Sequence, residues 1–323
     1  MASKRLGAAA FAVAALLATT SACSSDDGGS GAADGKINLA VFASVNGAPA
    51  FAGDDEGVFE DNDLDVALTT AKTSSEMIPQ LIGGKVDIAL LDVATSLVAI
   101  GQGMDLVYIA GGTDGGIPEG QEDFSFANVW VAKNSGIDSM ADLEGKKVGI
   151  PQIKSQPWLD LRASVDEAGG DSSKVKFVES PDPLTALKSG QVDATTTPEP
   201  VGTIERAKGE LKLLGPTNSG GGGHAYVYVT TAAFAKKNPD VVESFAEAVR
   251  AANAKVNADK DLLVSTIAEV IKAPSDVLAK SALPVYTEAT LTEDDVQFSI
   301  DYLEKYDMFE QGAPAAADVL FTR

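Results

Sequence analysis

Short apolar runs alternate along the chain with longer segments in which apolar residues recur every three or four positions. The short runs predict β-strands, and the periodic segments predict amphipathic helices. Strands that alternate with helices are typical of the α/β class, so we predict mixed sheets flanked by helices. The predicted strands are 37–42, 64–68, 86–91, 106–110, 128–132, 147–150, 175–178, 192–195 and 225–229.

The pattern changes at Pro239, after which only helical periodicity remains. Val242, Phe245, Val249 and Ala252 have the spacing that places one apolar stripe along a helix. The C-terminal part is therefore predicted to be helical. Its predicted helices are 239–256, 259–272, 275–283 and 292–306.

A seven-residue pattern occurs twice. Residues 81–87 (LIGGKVD) and 187–193 (LKSGQVD) share the form L-x-x-G-x-V-D, at the point where a predicted helix ends and a strand begins. A Gly-Lys pair that opens a strand precedes the two patterns by 46 and 42 residues, at Gly35 and Gly145. The similar offsets indicate a duplicated α/β lobe. Two such lobes would point the carboxyl ends of their strands at a shared cleft, where ligands of α/β proteins bind.

The N-terminal segment predicts export. Lys4 and Arg5 precede an apolar run at 6–18, and the small residues 20–22 follow it, as in a signal peptide. A bilayer-spanning helix needs about 20 apolar residues, which this run does not supply. Cys23, the only cysteine, comes next. Thr-Ser-Ala-Cys resembles a bacterial lipobox, although Thr20 stands where Leu is more usual. We predict a signal peptide at 1–22 and lipidation of Cys23; an ordinary secretory signal is the alternative.

The segment after Cys23 predicts a tether. Residues 24–35 (SSDDGGSGAADG) contain no large apolar side chain. Such a chain is flexible and reaches about 20 Å over about twelve residues. We therefore predict that 23–35 tie a folded body to the outer face of the cell membrane. No later apolar run is long enough to span a bilayer.

The charge balance restricts the kind of partner. Removal of residues 1–22 leaves 301 residues with 23 basic and 47 acidic side chains, a net charge of −24. Nucleic acids attract basic surfaces, so this balance argues against a nucleic-acid partner. A chain of this length with 45% hydrophobic residues can bury a sizeable core, and its length favours two domains.

Several short motifs, in their order and spacing, resemble those of the solute receptors for nitrate, sulfonates, taurine and the pyrimidine precursor of thiamine. The resemblance covers about residues 36–312. Its motifs are 50–59 (AFAGDDEGVF), 64–68 (LDVAL), 84–89 (GKVDIA), 135–137 (SGI), 142–149 (DLEGKKVG), 190–194 (GQVDA) ahead of Glu199-Pro200, and 235–240 (AKKNPD).

The resemblance implies a two-lobed periplasmic-binding-protein fold of type II, with a ligand cleft between the lobes. Hinge crossovers are expected near 127–130 and 224–227. Lobe 2 would then be 127–227, and lobe 1 would be discontinuous, 36–126 and 228–323. The implied function is that of the extracytoplasmic binding component of an ABC importer. It would close about a small molecule and deliver it to a permease that carries a cytoplasmic ATPase. We expect a monomer without a cofactor.

Polar residues in loops that follow predicted strands are the candidate ligand contacts. Glu199 joins them through the repeat, because Pro198 corresponds to Asp92 and Glu199 should then face the same cleft. Thr73 and Glu76 also have the spacing of a capping box. The candidates are Ser44, Asn46, Gly47, Thr73, Ser74, Ser75, Asp92, Thr95, Ser96, Gln152, Lys154, Ser155, Trp158 and Glu199.

These residues favour two kinds of ligand group. Hydroxyls at helix N-termini favour anions, and Lys72 and Lys154 would reinforce that preference. Asp92 and Glu199 favour an amine or a ring N–H. Together they predict a small organic anion or a zwitterion of the sulfonate, taurine or nitrate kind; a pyrimidine or another nitrogenous molecule is the alternative. The hydroxyls and Asp92 also suit helix caps, and Trp158 also suits the core, so these interpretations stay open.

Catalytic motifs are scarce. The chain has one histidine, His224, and no Cys-rich or His-rich cluster, G-x-S-x-G, H-E-x-x-H or P-loop motif. His224 follows four glycines beside a predicted hinge, where a structural or surface role suits it. We therefore predict no metal site and no enzyme. A fold-related enzyme and a receptor for a TRAP-type transporter are the alternatives.

Overall fold

Two five-stranded sheets organise the chain in the computed structural model, which describes residues 35–323. The strands are β1 (Lys36–Phe42), β2 (Asp65–Ala71), β3 (Ile88–Asp92), β4 (Leu106–Gly116), β5 (Ala127–Ala132), β6 (Lys147–Ile150), β7 (Lys176–Glu179), β8 (Ala194–Pro198), β9 (Leu211–Pro216) and β10 (Ser219–Thr231). The helices are α1 (Ala48–Asp55), α2 (Ser74–Ile82), α3 (Val93–Gly101), α4 (Gln156–Glu167), α5 (Pro183–Lys188), α6 (Val201–Lys208), α7 (Ala232–Lys237), α8 (Pro239–Ala258), α9 (Lys260–Ile271), α10 (Ser275–Leu278), α11 (Glu293–Glu304) and α12 (Ala316–Val319).

The two sheets share one plan. Sheet A has the order β2-β1-β3-β10-β4, and sheet B has the order β7-β6-β8-β5-β9. In each sheet the first three strands are parallel, and the fourth runs antiparallel to both of its neighbours. These mixed sheets confirm the predicted α/β class and agree with a duplicated lobe. We call the halves of the molecule built around the two sheets lobe A and lobe B.

The chain crosses between the lobes twice. It leaves sheet A after Gly116 and joins sheet B at Ala127, then leaves sheet B after Pro216 and rejoins sheet A at Ser219. The hinge expected near 127–130 falls at the start of β5. The hinge expected near 224–227 falls inside β10. The first part of this strand was not predicted, because residues 220–223 are glycines and have no side chains that could form a hydrophobic pattern. The boundary expected between 227 and 228 therefore divides a strand.

The aspartate that closes each copy of the repeat has a structural task. Asp87 Oδ2 accepts a hydrogen bond from the backbone N–H of Asn38 at 2.8 Å. Asp193 Oδ2 accepts one from the backbone N–H of Lys147, also at 2.8 Å. Each carboxylate thus ties the segment before β3 or β8 to the neighbouring parallel strand, β1 or β6. The repeated motif therefore has the same structural role in both lobes.

Helices cover both faces of sheet A. The predicted stripe of α8 is buried, and Phe245 stacks on Phe59 with ring centroids 5.9 Å apart. Residues of α2, α3 and α11 form the core on the other face, with Met77, Leu97 and Ile300 all buried. An apolar face of this kind must be covered by a second layer, and the helices supply it.

Some elements differ from the sequence-based prediction. β9 was not predicted, because it is an edge strand of half-buried residues without a clear apolar alternation. The third C-terminal helix ends at Leu278 rather than at 283. The prediction of a capping box at α2 is wrong. The Thr73 side chain does not cap the helix, and the Glu76 carboxylate accepts a hydrogen bond from the backbone N–H of Lys72, at 2.9 Å, rather than from that of Thr73.

The predicted signal peptide and Cys23 lie outside the described residues, as does the tether apart from Gly35. Within residues 35–323, no helix combines the length and the apolar character needed to cross a membrane.

Candidate functional site

A cavity of about 450 Å³ lies between the two sheets. Phe42 ends β1, Asp92 ends β3 and Pro198 ends β8, and all three side chains line it. The carboxyl ends of parallel strands from both lobes therefore meet at one place, as the duplication predicts. The volume suits a small molecule.

Half of the predicted contact residues line this cavity, and they come from both lobes. Those of lobe A lie after β1, at the start of α2 and at the end of β3, and those of lobe B lie in the loop after β6. They are Ser44, Asn46, Thr73, Ser74, Asp92, Gln152 and Ser155.

Four other candidates of lobe A lie outside the lining. Gly47 is buried where an added Cβ would come within 2.1 Å of the Phe42 carbonyl oxygen, so close packing explains the glycine. Ser75 is exposed on α2. Thr95 and Ser96 are buried behind Asp92, and Ser96 Oγ lies 2.6 Å from the Tyr108 hydroxyl.

Three candidates of lobe B also lie outside the lining. Lys154 forms an ion pair with Glu310. Trp158 packs against Phe177 at a centroid distance of 5.6 Å, and the Arg162 guanidinium lies 4.8 Å from its ring centroid. Glu199 is buried and accepts a weak hydrogen bond from the backbone N–H of Thr203 at 3.3 Å.

The structure adds residues that the sequence did not single out. Tyr226, Thr217 and Ser219 line the cavity from β10 and from the crossover before it. Phe126 lines it from the other crossover. Their one sequence signal is proximity to the expected hinges, since crossover residues of a two-lobed protein necessarily border its cleft. Pro198 was placed by the repeat but was not selected, because its side chain offers no hydrogen bond.

One wall of the cavity is apolar. Phe42 and Tyr226 meet edge to face, with ring centroids 5.4 Å apart and an interplanar angle of 73°. Phe126, Pro157 and Pro198 add further apolar surface. This wall suits the hydrocarbon or planar part of a ligand.

Three helices begin at the cavity, and Asp92 accepts a hydrogen bond from the first turn of two of them. Its Oδ1 accepts from the backbone N–H of Thr95 in α3 at 2.8 Å and from that of Gln156 in α4 at 3.1 Å. Its Oδ2 accepts from the Ser74 hydroxyl of α2 at 2.6 Å. The cap that the sequence left open for Asp92 is therefore present, and it extends to a helix of the other lobe.

Gln156 continues this network through lobe B. Its Oε1 accepts from the backbone N–H of Ala94 in α3 at 3.2 Å, and its Nε2 donates to Asp160 at 2.6 Å. Asp160 also accepts from the Ser219 hydroxyl at 2.8 Å and from the backbone N–H of Gly220 at 2.9 Å, both in β10 of sheet A. A buried chain of hydrogen bonds thus joins the lobes beneath the cavity.

Burial changes the acidity of two carboxyl groups. It raises the pKa of Asp160 from 3.8 to about 7, against the effect of hydrogen bonds from Gln156, Ser219 and Gly220. It raises the pKa of Glu199 from 4.5 to about 7 in the same way. Water stabilises a carboxylate better than a protein interior does, so both groups hold their protons more tightly.

The start of α2 differs from the other two helix starts because none of its backbone N–H groups donates to Asp92. Thr73 adopts extended backbone angles at the N-cap position, yet its side chain accepts no hydrogen bond from the helix. The first N–H groups of a helix have no partner within it, so an uncapped start can bind an anion. Lys72 lies beside it and is the only basic residue of the lining, all of which belongs to residues 35–323.

His224 takes no part in the lining. It lies in β10 with its Nδ1 3.4 Å from Asp114 and 3.3 Å from the Thr287 hydroxyl. In the described part of the chain, no group of three or more His, Cys, Asp or Glu side chains could hold a metal ion.

Comparison with known proteins identifies the family. Residues 44–261 match the model of the NMT1/THI5-like family. A protein of Escherichia coli (strain K12) that is named for aliphatic sulfonate binding is 24% identical over 206 residues, which are 63% of this chain and 61% of that protein.

Solved structures with the same fold support the match. The alkanesulfonate-binding protein of Xanthomonas axonopodis pv. citri, bound to MOPS, superposes with a TM-score of 0.74 at 17% identity, over 88% of this chain and 98% of that one. The periplasmic nitrate-binding protein of Synechocystis PCC 6803 gives 0.70 at 13% identity, over 88% and 84%. The two-lobed periplasmic-binding-protein-like fold is therefore confirmed. The chain belongs to the NMT1/THI5-like family, whose structural neighbours include solute-binding proteins.

Proposed function

We propose that this protein is the extracytoplasmic binding component of an ABC importer and that it captures a small organic anion or zwitterion. The observation that supports this most is the cavity between the two lobes, which combines an apolar wall with an uncapped helix start and one lysine. An uncapped helix start and a cation favour an acid group, and the apolar wall favours an organic body.

The related proteins supply the transport context. They include sulfonate-binding and nitrate-binding proteins and a ligand-binding component of an ABC-type import system from Staphylococcus aureus. We propose that the captured solute passes to a permease driven by a cytoplasmic ATPase. Lipidation of Cys23 would keep the protein at the outer face of the membrane that holds this permease.

A nitrogenous planar ligand is the second candidate. Phe42, Tyr226 and Phe126 give the cavity three aromatic side chains, and Asn46 carries a buried Oδ1 without a hydrogen-bond partner. A ligand with a ring N–H could supply that hydrogen bond. An anion that also carries an N–H group would use both the start of α2 and the Asn46 oxygen.

A ligand screen tests the proposal. The purified protein without its first 34 residues is heated with alkyl and aryl sulfonates, taurine, nitrate, amino acids and pyrimidines, and calorimetry then measures the affinity of each stabilising compound. We expect an organic anion to bind. Lys72→Gln should weaken it roughly 1.4- to fivefold, because an exposed ionic contact contributes about 0.2–1 kcal/mol.

Lys36→Gln is the matched control, since Lys36 lies at the start of β1 and pairs with Asp65 at 3.8 Å. It should leave the affinity unchanged. Binding of neutral pyrimidines alone would favour the second candidate. An equal effect of the two lysine changes would place the acid group away from α2.

A further inference from the structure

We infer that the Asp92 carboxylate occupies the position that a second acid group of a ligand would take, which we call the anion seat. The receptor therefore selects ligands with one acid group. This inference rests on the proposed function and specifies its ligand class. It follows from the partners of Asp92, the state of the three helix starts and the charges that line the cavity.

Asp92 lies where an anion would bind if the side chain were absent. It is 5% exposed, and its oxygens accept from the starts of α3 and α4 and from the Ser74 hydroxyl at the start of α2. The N-terminus of a helix carries a partial positive charge and unpaired N–H groups, and both attract anions. Three such ends converge on one carboxylate.

The starts of α3 and α4 therefore each have a first-turn N–H that already donates to Asp92. Gln156 adds to this, because its Oε1 accepts from Ala94 N–H in the first turn of α3. The start of α2 is left without a side-chain cap on its backbone, and Thr73 and Ser74 line the cavity there. A ligand that enters finds one open helix start.

Asn46 offers an unpaired hydrogen-bond acceptor to a ligand in the same cavity. The residue is 6% exposed and lines the same cavity, and its Oδ1 is buried without a hydrogen-bond partner. An unpaired buried acceptor is costly, so a hydrogen-bond donor that enters from the cavity, such as an N–H group of the ligand, would satisfy it. The Asn46 oxygen is therefore available to a ligand, whereas the Asp92 oxygens already accept from protein donors.

The charges of the lining set the charge of the ligand. Among the lining residues, all within the described part of the chain, Lys72 is the only cation and Asp92 the only acid. One ligand acid group at α2 can use Lys72 and the helix start. A second acid group would find its helix starts occupied and would lie close to the Asp92 carboxylate, where like charges repel.

Formate provides a direct test, because it is a carboxylate small enough to replace the lost one. Asp92→Ala should lower the melting temperature, and formate should restore several degrees of it more effectively than chloride at the same ionic strength. Formate should stabilise the wild type and Asp92→Asn less than Asp92→Ala, because in those two proteins the position at residue 92 is occupied and only the start of α2 is open. Equal effects of formate on all three proteins would overturn the anion seat.

Ligand charge provides the second test. Calorimetry compares a monosulfonate with the disulfonate of the same carbon chain on the wild type and on Asp92→Asn, which keeps the shape and removes the charge. We expect the wild type to prefer the monosulfonate. The Asn variant should reduce this preference about tenfold. Asp193→Asn is the control, because Asp193 also accepts a backbone N–H but lies outside the cavity lining.

The two tests separate this inference from the proposed function. If no monoanion binds the wild type, the proposed function fails. If a monosulfonate binds but Asp92→Asn leaves its preference over the disulfonate unchanged, the role of Asp92 in selectivity is refuted while the receptor function stands. A folding failure of Asp92→Ala would leave the Asn variant to decide.

Discussion

At the scale of single residues, the site is organised by which polar groups already have partners. Ser74 was expected to bind the ligand through its hydroxyl, but this hydroxyl donates to Asp92 and accepts from its backbone N–H at 2.9 Å. Asn46, by contrast, keeps an unpaired oxygen. Residue type and loop position identify both as candidates, but only the three-dimensional partners show which one is available.

Asp160→Asn tests the buried network through its pH dependence. An acid whose pKa is raised on folding stabilises the folded state fully below about pH 4, and this contribution is lost as the pH rises to about 7. The Asn side chain can accept from Gln156 and Gly220 and donate to Ser219. Urea unfolding from pH 4 to 8 should therefore show a flatter profile in the variant, with a relative gain at pH 8.

Glu199→Gln is the comparison for this experiment. Burial also raises the pKa of Glu199 to about 7, so this variant should flatten the profile in the same window. Glu199 lies outside the cavity lining and outside the network that joins the lobes. If neither variant changes the slope between pH 4 and 7, the buried carboxyl groups are not the source of the pH dependence.

At the scale of elements, the sequence predicts the strands of the parallel core well and the irregular ones poorly. β6 was predicted with its observed bounds, because its apolar residues are buried on both sides. β10 was predicted only from 225 to 229, since Gly220–Gly223 carry no side chains that could form a pattern. β9 was missed because an edge strand has neither a fully apolar run nor a clear alternation.

The contact residues divide in the same way. Loops after parallel strands follow from the α/β fold, so Ser44, Asp92 and Gln152 could be placed at the cavity from the sequence. Tyr226 and Ser219 could not, because they come from an antiparallel strand that enters from the other lobe. From the sequence, Trp158 suited either a ligand contact or the core. In the structure it packs against Phe177 and Arg162.

The uncapped start of α2 leads to a prediction that opposes stability to binding. Thr73→Asp would place a carboxylate at the N-cap, where it should stabilise the helix by about 0.5–1 kcal/mol. The same carboxylate would lie at the start of α2, where the acid group of the ligand is proposed to bind, and would repel that group. We expect the melting temperature to rise and the affinity for the best compound of the screen to fall at least about tenfold.

Thr231→Asp is its matched control. Thr231 is the N-cap of α7, where its hydroxyl accepts from the backbone N–H of Phe234 at 3.1 Å, away from the cavity. The control should leave the affinity unchanged. An unchanged affinity in Thr73→Asp as well would show that the start of α2 does not hold the acid group.

At the scale of the whole molecule, the predicted export and the proposed lipid anchor depend on residues outside the described part of the chain. Cys23 is the only cysteine and follows a predicted signal peptide. Cys23→Ala should release the protein into the medium or leave the signal peptide uncleaved, because no lipid can be attached. Membrane fractionation with mass spectrometry of the N-terminus measures both. Unchanged detergent-dependent retention of a correctly cleaved variant would refute lipidation.

The two lobes contact each other directly. Leu159 and Ala163 of α4 belong to lobe B by the order of the chain, yet they lie in the hydrophobic cluster of sheet A. Gln156, on the same helix, connects Asp92 to Asp160 across the boundary. In this structure α4 therefore joins lobe B directly to lobe A.

Gln156→Ala should shift the protein toward an open arrangement. The change removes two side-chain hydrogen bonds: the one that Gln156 accepts from Ala94 of the other lobe and the one that it donates to Asp160. Asp160 then has one donor fewer, at a cost of about 1–3 kcal/mol. Small-angle scattering should then give a larger radius of gyration for the ligand-free variant than for the wild type. A saturating ligand should restore the smaller radius, since binding favours the closed state. Gln80→Ala, on the exposed face of α2, should leave the radius unchanged. Identical radii for the ligand-free wild type and Gln156→Ala would show that packing of α4 alone holds the lobes together.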